Sequence, residues 1–391
     1  MTAHKDAFTR FLQHHPQRLH VAAHSHHPWP DVSFDAHQQA WLDAAAHHDD
    51  KWDVVFGEVL PEAQRHVAQR LGLPDPTTVA FAPSTHALLL RLLSCLPRPA
   101  RVLTTDAEFH SFDRQIRRFE EEGWAVVERV AAEPFASLPD RLVDAAARGA
   151  QHLVFVSQVL FDSGWALPDL CAVVAAVPGP DTFVVIDGYH AFMALPTDLA
   201  AIERRAFYLA GGYKYAMAGE GACFLHCPPG HAPRPPDTGW FAGFGALEDH
   251  RGGPVAYAAD GSRFLGATFD PSGLYRFNAV QRWLRQEGIE VTAIHRHVRA
   301  LQDRLLAGLA GAGLDLGELL PPAGRGDRGH FLTFRRPDAA DLQQRLRRAD
   351  VVTDNRGDRL RIGFGIYHDA SDVAGPAWRT AAEQVRRGLG L

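Results

Sequence analysis

Between residues 78 and 226 seven short apolar runs alternate with polar stretches of helical period: "TVAFA" (78–82), "RVLTT" (101–105), "AVVER" (125–129), "HLVFVS" (152–157), "TFVVID" (182–187), "AFYLA" (206–210) and "ACFLH" (222–226). Runs of five or six residues are too short for buried helices and read as strands. Amphipathic segments such as "SFDRQIRRFEEEG" and "LPDRLVDAAARG" lie between several of them. Strands alternating with helices predict an α/β fold with a mainly parallel sheet covered on both faces. The last connection, 211–221, is too short for a helical crossover, so the seventh strand is expected to run antiparallel to its neighbour.

Outside this block the chain divides by pattern. Residues 1–50 read as an N-terminal segment contributing to the active site, 51–285 as the large α/β domain and 286–391 as a smaller α+β domain. In the small domain, helices separate the strand-like "GHFLTF" and "RLRIGFG". A long Pro- and Gly-rich region, "CPPGHAPRPPDTGWFAGFGALEDHRGGP", follows the seventh strand; its aromatics favour a functional loop. "LYRFNAVQRWLRQEG" then reads as a connecting helix.

A net charge of −6 gives no electrostatic footprint for nucleic acid. No stretch of about eighteen apolar residues suggests a membrane span, and the polar, histidine-rich start does not read as a signal peptide. The four cysteines form no C-x-x-C pattern, and a reducing cytoplasm is expected. The clusters "HVAAHSHHPWP" and "AHHDDKWD" fit neither H-E-x-x-H nor a Cys/His zinc spacing, so no metal is expected.

In open α/β sheets ligands gather at the carboxyl ends of the strands, and three loops there carry chemistry. In "APSTHALLLRLL" Ser84 and Thr85 open an apolar helix whose free N–H groups suit a phosphate. In "TFVVIDGYHAF" Asp187 ends an apolar strand, where a carboxylate needs a cationic or hydrogen-bonding partner such as a protonated pyridine nitrogen. His190 can brace that carboxylate or face the substrate. The third loop holds Lys214, one of only three lysines among forty Lys and Arg residues. Arginine can neither be deprotonated at working pH nor form a Schiff base, whereas a desolvated lysine can do both. A phosphate cradle, a pyridinium partner and an imine-forming amine together point to pyridoxal 5′-phosphate (PLP).

"GGYKYAMAGEG", "DGYHA", "TDNRGDRLRIGFGIYHDASDV" and "AAHSHHPWP" occur in the order and spacing of kynureninase motifs. The chain resembles that family, within the fold-type I, class V aminotransferase superfamily of PLP-dependent enzymes. The resemblance implies a seven-stranded large domain, a smaller C-terminal domain and a homodimer with shared active sites. It implies Lys214, Tyr213 and Asp187 as catalytic: Lys214 holds the cofactor and shuttles protons, Asp187 pairs with the pyridine nitrogen, and Tyr213 reaches the phosphate. Ser84 and Thr85 hold the phosphate, and Phe109 or His110 stacks on the ring. His190 joins the cofactor site, while Trp240 and Thr268 complete the neighbouring subunit's site. Arg361 takes the substrate α-carboxylate, a planar anion suited to a bidentate guanidinium. Ser25, His24 and one of His47 or His48 approach the substrate's aromatic ring, with His24 standing where the family has Asn.

The implied reaction is hydrolysis of the Cβ–Cγ bond of L-kynurenine or its 3-hydroxy form, a step of tryptophan catabolism giving anthranilate or 3-hydroxyanthranilate and L-alanine. The alternative is a class V aminotransferase or another PLP-dependent lyase acting on a related amino acid. Desulfuration is disfavoured because no cysteine follows Cys227 to receive sulfur.

Overall fold

The computed structural model describes residues 4–246, 253–311, 316–322 and 328–374. All seven expected strands form: β1 (Val79–Ala82), β2 (Ala100–Thr105), β3 (Ala125–Val130), β4 (Leu153–Ser157), β5 (Phe183–Asp187), β6 (Ala206–Gly211) and β7 (Cys223–His226). They make one sheet in the order β1-β7-β6-β5-β4-β2-β3. Pairing is parallel from β6 through β3, and β7 runs antiparallel to both β6 and β1. The short 211–221 connection therefore has the consequence expected of it. The inner strands read as continuous apolar runs because both faces are covered: β4, β6 and β7 are buried at every position, whereas the edge strand β3 alternates.

The covering helices include α1 (Val32–His47), α2 (Leu60–Leu71), α3 (Thr85–Ser94), α4 (His110–Glu121), α5 (Leu138–Ala147), α6 (Leu170–Ala176) and α7 (Ser272–Gln286). On α4 the buried Phe112 stacks face to face on Phe155 of β4, with centroids 3.7 Å apart. The connecting-helix reading of "LYRFNAVQRWLRQEG" corresponds to α7, which packs along α1 through a 2.8 Å hydrogen bond from the Tyr275 hydroxyl to Asp43.

A second core surrounds a four-stranded antiparallel sheet of β8 (Leu319–Leu320), β9 (Phe331–Arg335), β10 (Asp354–Arg356) and β11 (Arg359–Gly363), in the order β10-β11-β9-β8. Helices α8 (Val291–Gly311) and α9 (Ala339–Arg348) accompany it. The sequence pattern anticipates β9 and β11 but not the short β8 and β10. The last described helix begins at Ala370, and residues beyond 374 lie outside the described ones. The N-terminal segment reaches this sheet: Leu19–His20 pairs in parallel with Val351–Val352, and Ala22 bridges Gly363. Among the described residues no helix is long and apolar enough to cross a membrane.

Candidate active site

The carboxyl ends of β1, β2, β4, β5 and β6 share one edge of the large sheet, and a cavity of about 240 Å³ opens there. Ser84, Thr85, Phe109, Ser157, Phe161, Asp187, Tyr189, His190, Tyr213, Lys214 and Cys223 are among its lining residues.

At one end Ser84, with extended backbone, caps α3 by accepting the Ala87 N–H at 3.2 Å. The cap satisfies one of the free donors of the first turn and leaves the others, at the positive end of the helix dipole, available to an anion. At the floor Asp187 ends β5 and accepts the Tyr189 N–H at 2.9 Å. Burial pushes its carboxyl up, opposed by that N–H and by the charge of Lys214. No lysine or arginine side chain forms an ion pair with Asp187 among the described residues. A buried carboxylate without such a partner suits a cationic ring nitrogen.

Lys214 sits just beyond β6 in a turn crowded by its own neighbours. Gly219 has φ +69°, and a Cβ there would lie 2.3 Å from the Trp29 ring, so only glycine fits. Arg276 of α7 holds the same turn from outside, donating to the carbonyls of Ala218 (2.8 Å) and Glu220 and lying 2.7 Å from His37 Nδ1. Lys214 is 5% exposed, with Nζ 2.7 Å from His190 Nε2 and 4.8 Å from the centroid of Tyr189. Burial pushes its amine down to about 7 despite the opposing charge of Asp187, with Arg361 lowering it further. Burial, then the Lys214 charge, holds His190 well below the usual imidazole range. His190 thus faces the lysine amine and makes no hydrogen bond to Asp187; its Nδ1 is buried without a partner.

Arg361, on β11, is 3% exposed and paired across the strands with Asp354 of β10. Its guanidinium donates to the Asp354 carboxylate and the Phe161 carbonyl, leaving Nε without a partner. His24 is fully buried, stacked on Phe331 at 4.7 Å, with Nε2 3.7 Å from Asp354 Oδ2. Burial pushes this imidazole down to about 3.

Of the pair left open by sequence, Phe109 lines the cavity, with Lys214 Nζ 5.4 Å from its centroid; His110 is exposed and packs on Phe161. Tyr213 lines the cavity too, with His26 stacked on it at 5.2 Å. Ser25 is half-buried, its hydroxyl 3.2 Å from His26 Nδ1. His47 and His48 are exposed at the end of α1, Trp240 packs at 4.2 Å on Phe241, and Thr268 is exposed. Neither these four nor Arg361, His24, Ser25 and His110 are among the residues lining the cavity of the single chain. Sequence reasoning missed Glu108, Ser157, Asp354 and Arg276. Ser157 carried a usable signal, a polar residue at the end of an apolar strand run; Glu108, three residues past β2, carried none. Among the described residues no group of three His, Cys, Asp or Glu side chains is placed to hold a metal.

PLP fits what is present: an amine at one side, an unpaired carboxylate at the floor and a helix start at the far end. Solved structures share the fold. The chain superposes on a cysteine desulfurase from Thermococcus onnurineus NA1 with a TM-score of 0.81 at 16% identity, covering 99% of each chain. The cystine C-S lyase C-DES, in complex with cysteine persulfide, gives 0.76 at 16% identity, covering 93% of this chain and 97% of that one. The Escherichia coli cysteine desulfurase CsdA gives 0.78 at 14% identity, covering 99% and 97%. A further C-DES structure carries glycine covalently linked to its PLP cofactor. No curated protein sequence matches the chain. Residues 44–374 match the aminotransferase class-V family, and the chain therefore belongs to that family, whose cofactor is PLP.

Proposed function

We propose that the protein is a PLP-dependent lyase acting on a free α-amino acid and releasing the substituent carried on its β-carbon. The observation that carries this reading is the buried Lys214 amine, 2.7 Å from His190 and depressed to about 7, within the electrostatic reach of a guanidinium bound to Asp354. When bound, PLP supplies the electron sink that makes bonds at the α- and β-carbons labile. Lys214 anchors the cofactor and, once freed, moves the substrate's α-proton, its near-neutral affinity matched to that task. His190 accepts from or donates to Nζ and keeps the amine directed into the cavity. Asp187 holds the ring nitrogen's proton, Ser84 and Thr85 seat the phosphate, Tyr213 closes the site beside it, and Phe109 covers the ring. Arg361 takes the α-carboxylate with the donors its Asp354 and Phe161 bonds leave over, the unpartnered Nε–H among them.

Similar folds named for cystine and cysteine favour a carbon–sulfur bond as the one broken. A route that parks sulfur on a mobile cysteine is disfavoured, because no cysteine follows Cys227 in the sequence and Cys223 and Cys227 are buried. A second reading, kynureninase-type hydrolysis, is favoured by the motifs around Lys214, Asp187 and Arg361 and by the aromatic lining of Phe109, Phe161, Tyr189 and Tyr213. We also propose a homodimer, in keeping with the large exposed apolar side chains Trp41, Leu42, Trp240 and Phe244. The test incubates PLP-loaded protein with L-cystine, L-cysteine, L-kynurenine and 3-hydroxykynurenine, and with amino donors plus keto acids, using Lys214→Ala as control. Pyruvate with released sulfur supports carbon–sulfur cleavage. Anthranilate or 3-hydroxyanthranilate transfers the assignment to the second reading. Amino transfer to a keto acid without side-chain release overturns the lyase.

A further inference from the structure

Behind Asp187 lies a second carboxyl that the proposed chemistry does not use. Glu108, in the turn after β2, is 5% exposed. Thr105 Oγ1 donates to its Oε1 at 2.7 Å, and the Ser157 N–H reaches the same oxygen at 3.3 Å. Its Oε2 lies 2.5 Å from the Ser157 hydroxyl oxygen. Ser157 is the last residue of β4, the register partner of Asp187 on β5, and lines the cavity beside it. Thr105 from β2 and Ser157 from β4 face Glu108 as neutral groups, and Asp187 from β5 is the charged group that acts on it. The adjacent Asp106 is engaged elsewhere, accepting the Ala132 N–H at 2.7 Å.

A 2.5 Å contact between a carboxyl and a hydroxyl oxygen can carry its hydrogen in either direction. With Glu108 ionised, the Ser157 hydroxyl donates to Oε2 and shows the cavity only a lone pair. With Glu108 protonated on Oε2, the carboxyl donates to Ser157, whose own hydrogen is released toward the cavity. The proton comes from solvent, and only O–H bonds are made or broken. We propose that Glu108 is a proton-carrying positioning residue that sets whether Ser157 presents a donor or an acceptor to the cofactor cavity beside Asp187. Burial, reinforced by the Asp187 charge and opposed by the Ser157 and Thr105 hydrogen bonds, pushes its carboxyl up to about 7. Both forms are therefore populated at neutral pH. The proposal rests on PLP occupying the cavity and is independent of which amino acid is the substrate.

Two readouts besides activity test it. In cofactor-free wild type, infrared difference spectra across neutral pH should show a protonated-carboxyl stretch that titrates near pH 7 and is lost in Glu108→Gln. In PLP-loaded protein, the pH titration of the cofactor's visible absorption should need two proton-binding groups in wild type. It should need one in Glu108→Gln, whose amide donates permanently to Ser157, and one in Ser157→Ala, where Glu108 still titrates but has no rotor to turn. Superimposable titrations of wild type and Glu108→Gln would overturn the proposal. So would retention of the full two-group curve in Ser157→Ala, which decides the matter if Glu108→Gln does not fold.

Discussion

The Nζ of Lys214 lies 2.7 Å from Nε2 of His190, and both side chains are shut away from solvent. Two basic groups at this distance cannot both be charged, and the enclosure lowers the proton affinity of each. The pair shares at most one proton, with its acceptor lone pair free to work at neutral pH. Lys214→Arg keeps a cation but can neither form the cofactor linkage nor give up its proton. It is expected to lower turnover by at least about 10²–10⁴-fold, the usual contribution of a positioned proton-transfer group. Dialysis should strip its visible cofactor band while wild type retains it.

The same amine makes the stability of the cofactor-free protein depend on pH. Its folded value of about 7 lies below the ordinary 10.5, so between these limits the unfolded chain binds more protons than the folded one. Stability from this group therefore rises with pH across that window, by about 1.4 kcal/mol per pH unit at most. Urea unfolding from pH 7 to 9 should show the slope in wild type and a flatter one in Lys214→Met.

A cluster of neutral histidines clasps the N-terminal segment to the turn that follows β11. His20 Nδ1 lies 2.8 Å from the Tyr367 hydroxyl, and His368 Nε2 2.8 Å from the His20 carbonyl oxygen. Burial pushes His20 and His27 down to about 4 and His368 down to about 3. The unfolded chain takes up these protons below about pH 6.5 and the folded chain does not, so stability falls as pH drops from 6.5 toward 4, on the order of 1 kcal/mol per pH unit for each group. Denaturant unfolding at pH 7 and 5 measures this, and His368→Gln should reduce the loss.

Arg276 grips the lysine turn by two carbonyls. Arg276→Met should cost about 2–3 kcal/mol, the scale of hydrogen bonds from a charged donor to partners then left unpaired. The cofactor dissociation constant should rise with it, because the turn carrying Lys214 loses its outer support. Thermal unfolding and PLP titration check the two effects separately.

Asp354 holds Arg361, the proposed partner of the substrate carboxylate. Asp354→Asn removes the charge that fixes the guanidinium, and KM should rise about tenfold or more with a smaller change in kcat. Arg361→Lys, which loses the planar fork, should raise KM further. Steady-state kinetics on whichever amino acid proves to be the substrate separates the two parameters.

Much of this architecture was legible in residue order, for a physical reason. Strands covered on both faces are apolar throughout, so the large sheet announced its inner strands, and the eleven-residue link to β7 forced its direction. Lys214 stood out because arginine fills nearly every other basic position. The Leu19–His20 and Val351–Val352 pair was invisible, since two-residue strands have no period to detect. The Glu108–Ser157 contact joins residues 49 apart through the crossing from β2 to β4, which no local pattern encodes. Arg276 sits on a helix and reads like any amphipathic cation until α7 is packed against the lysine turn. His47, His48, Trp240 and Thr268 came from resemblance alone, and a single chain does not bring them to the cavity.

The reversed strand β7 has a metrical consequence. Its first residue, Cys223, is flanked by Ala82 at the end of β1 and Gly211 at the end of β6. The start of α3 and the turn that bears Lys214 are therefore held two strand spacings apart, roughly 10 Å. The sheet works as a caliper with β7 as its fixed bar. A change that shifts the register of that one strand alters the spacing between the two, and with it the fit of any ligand that spans them.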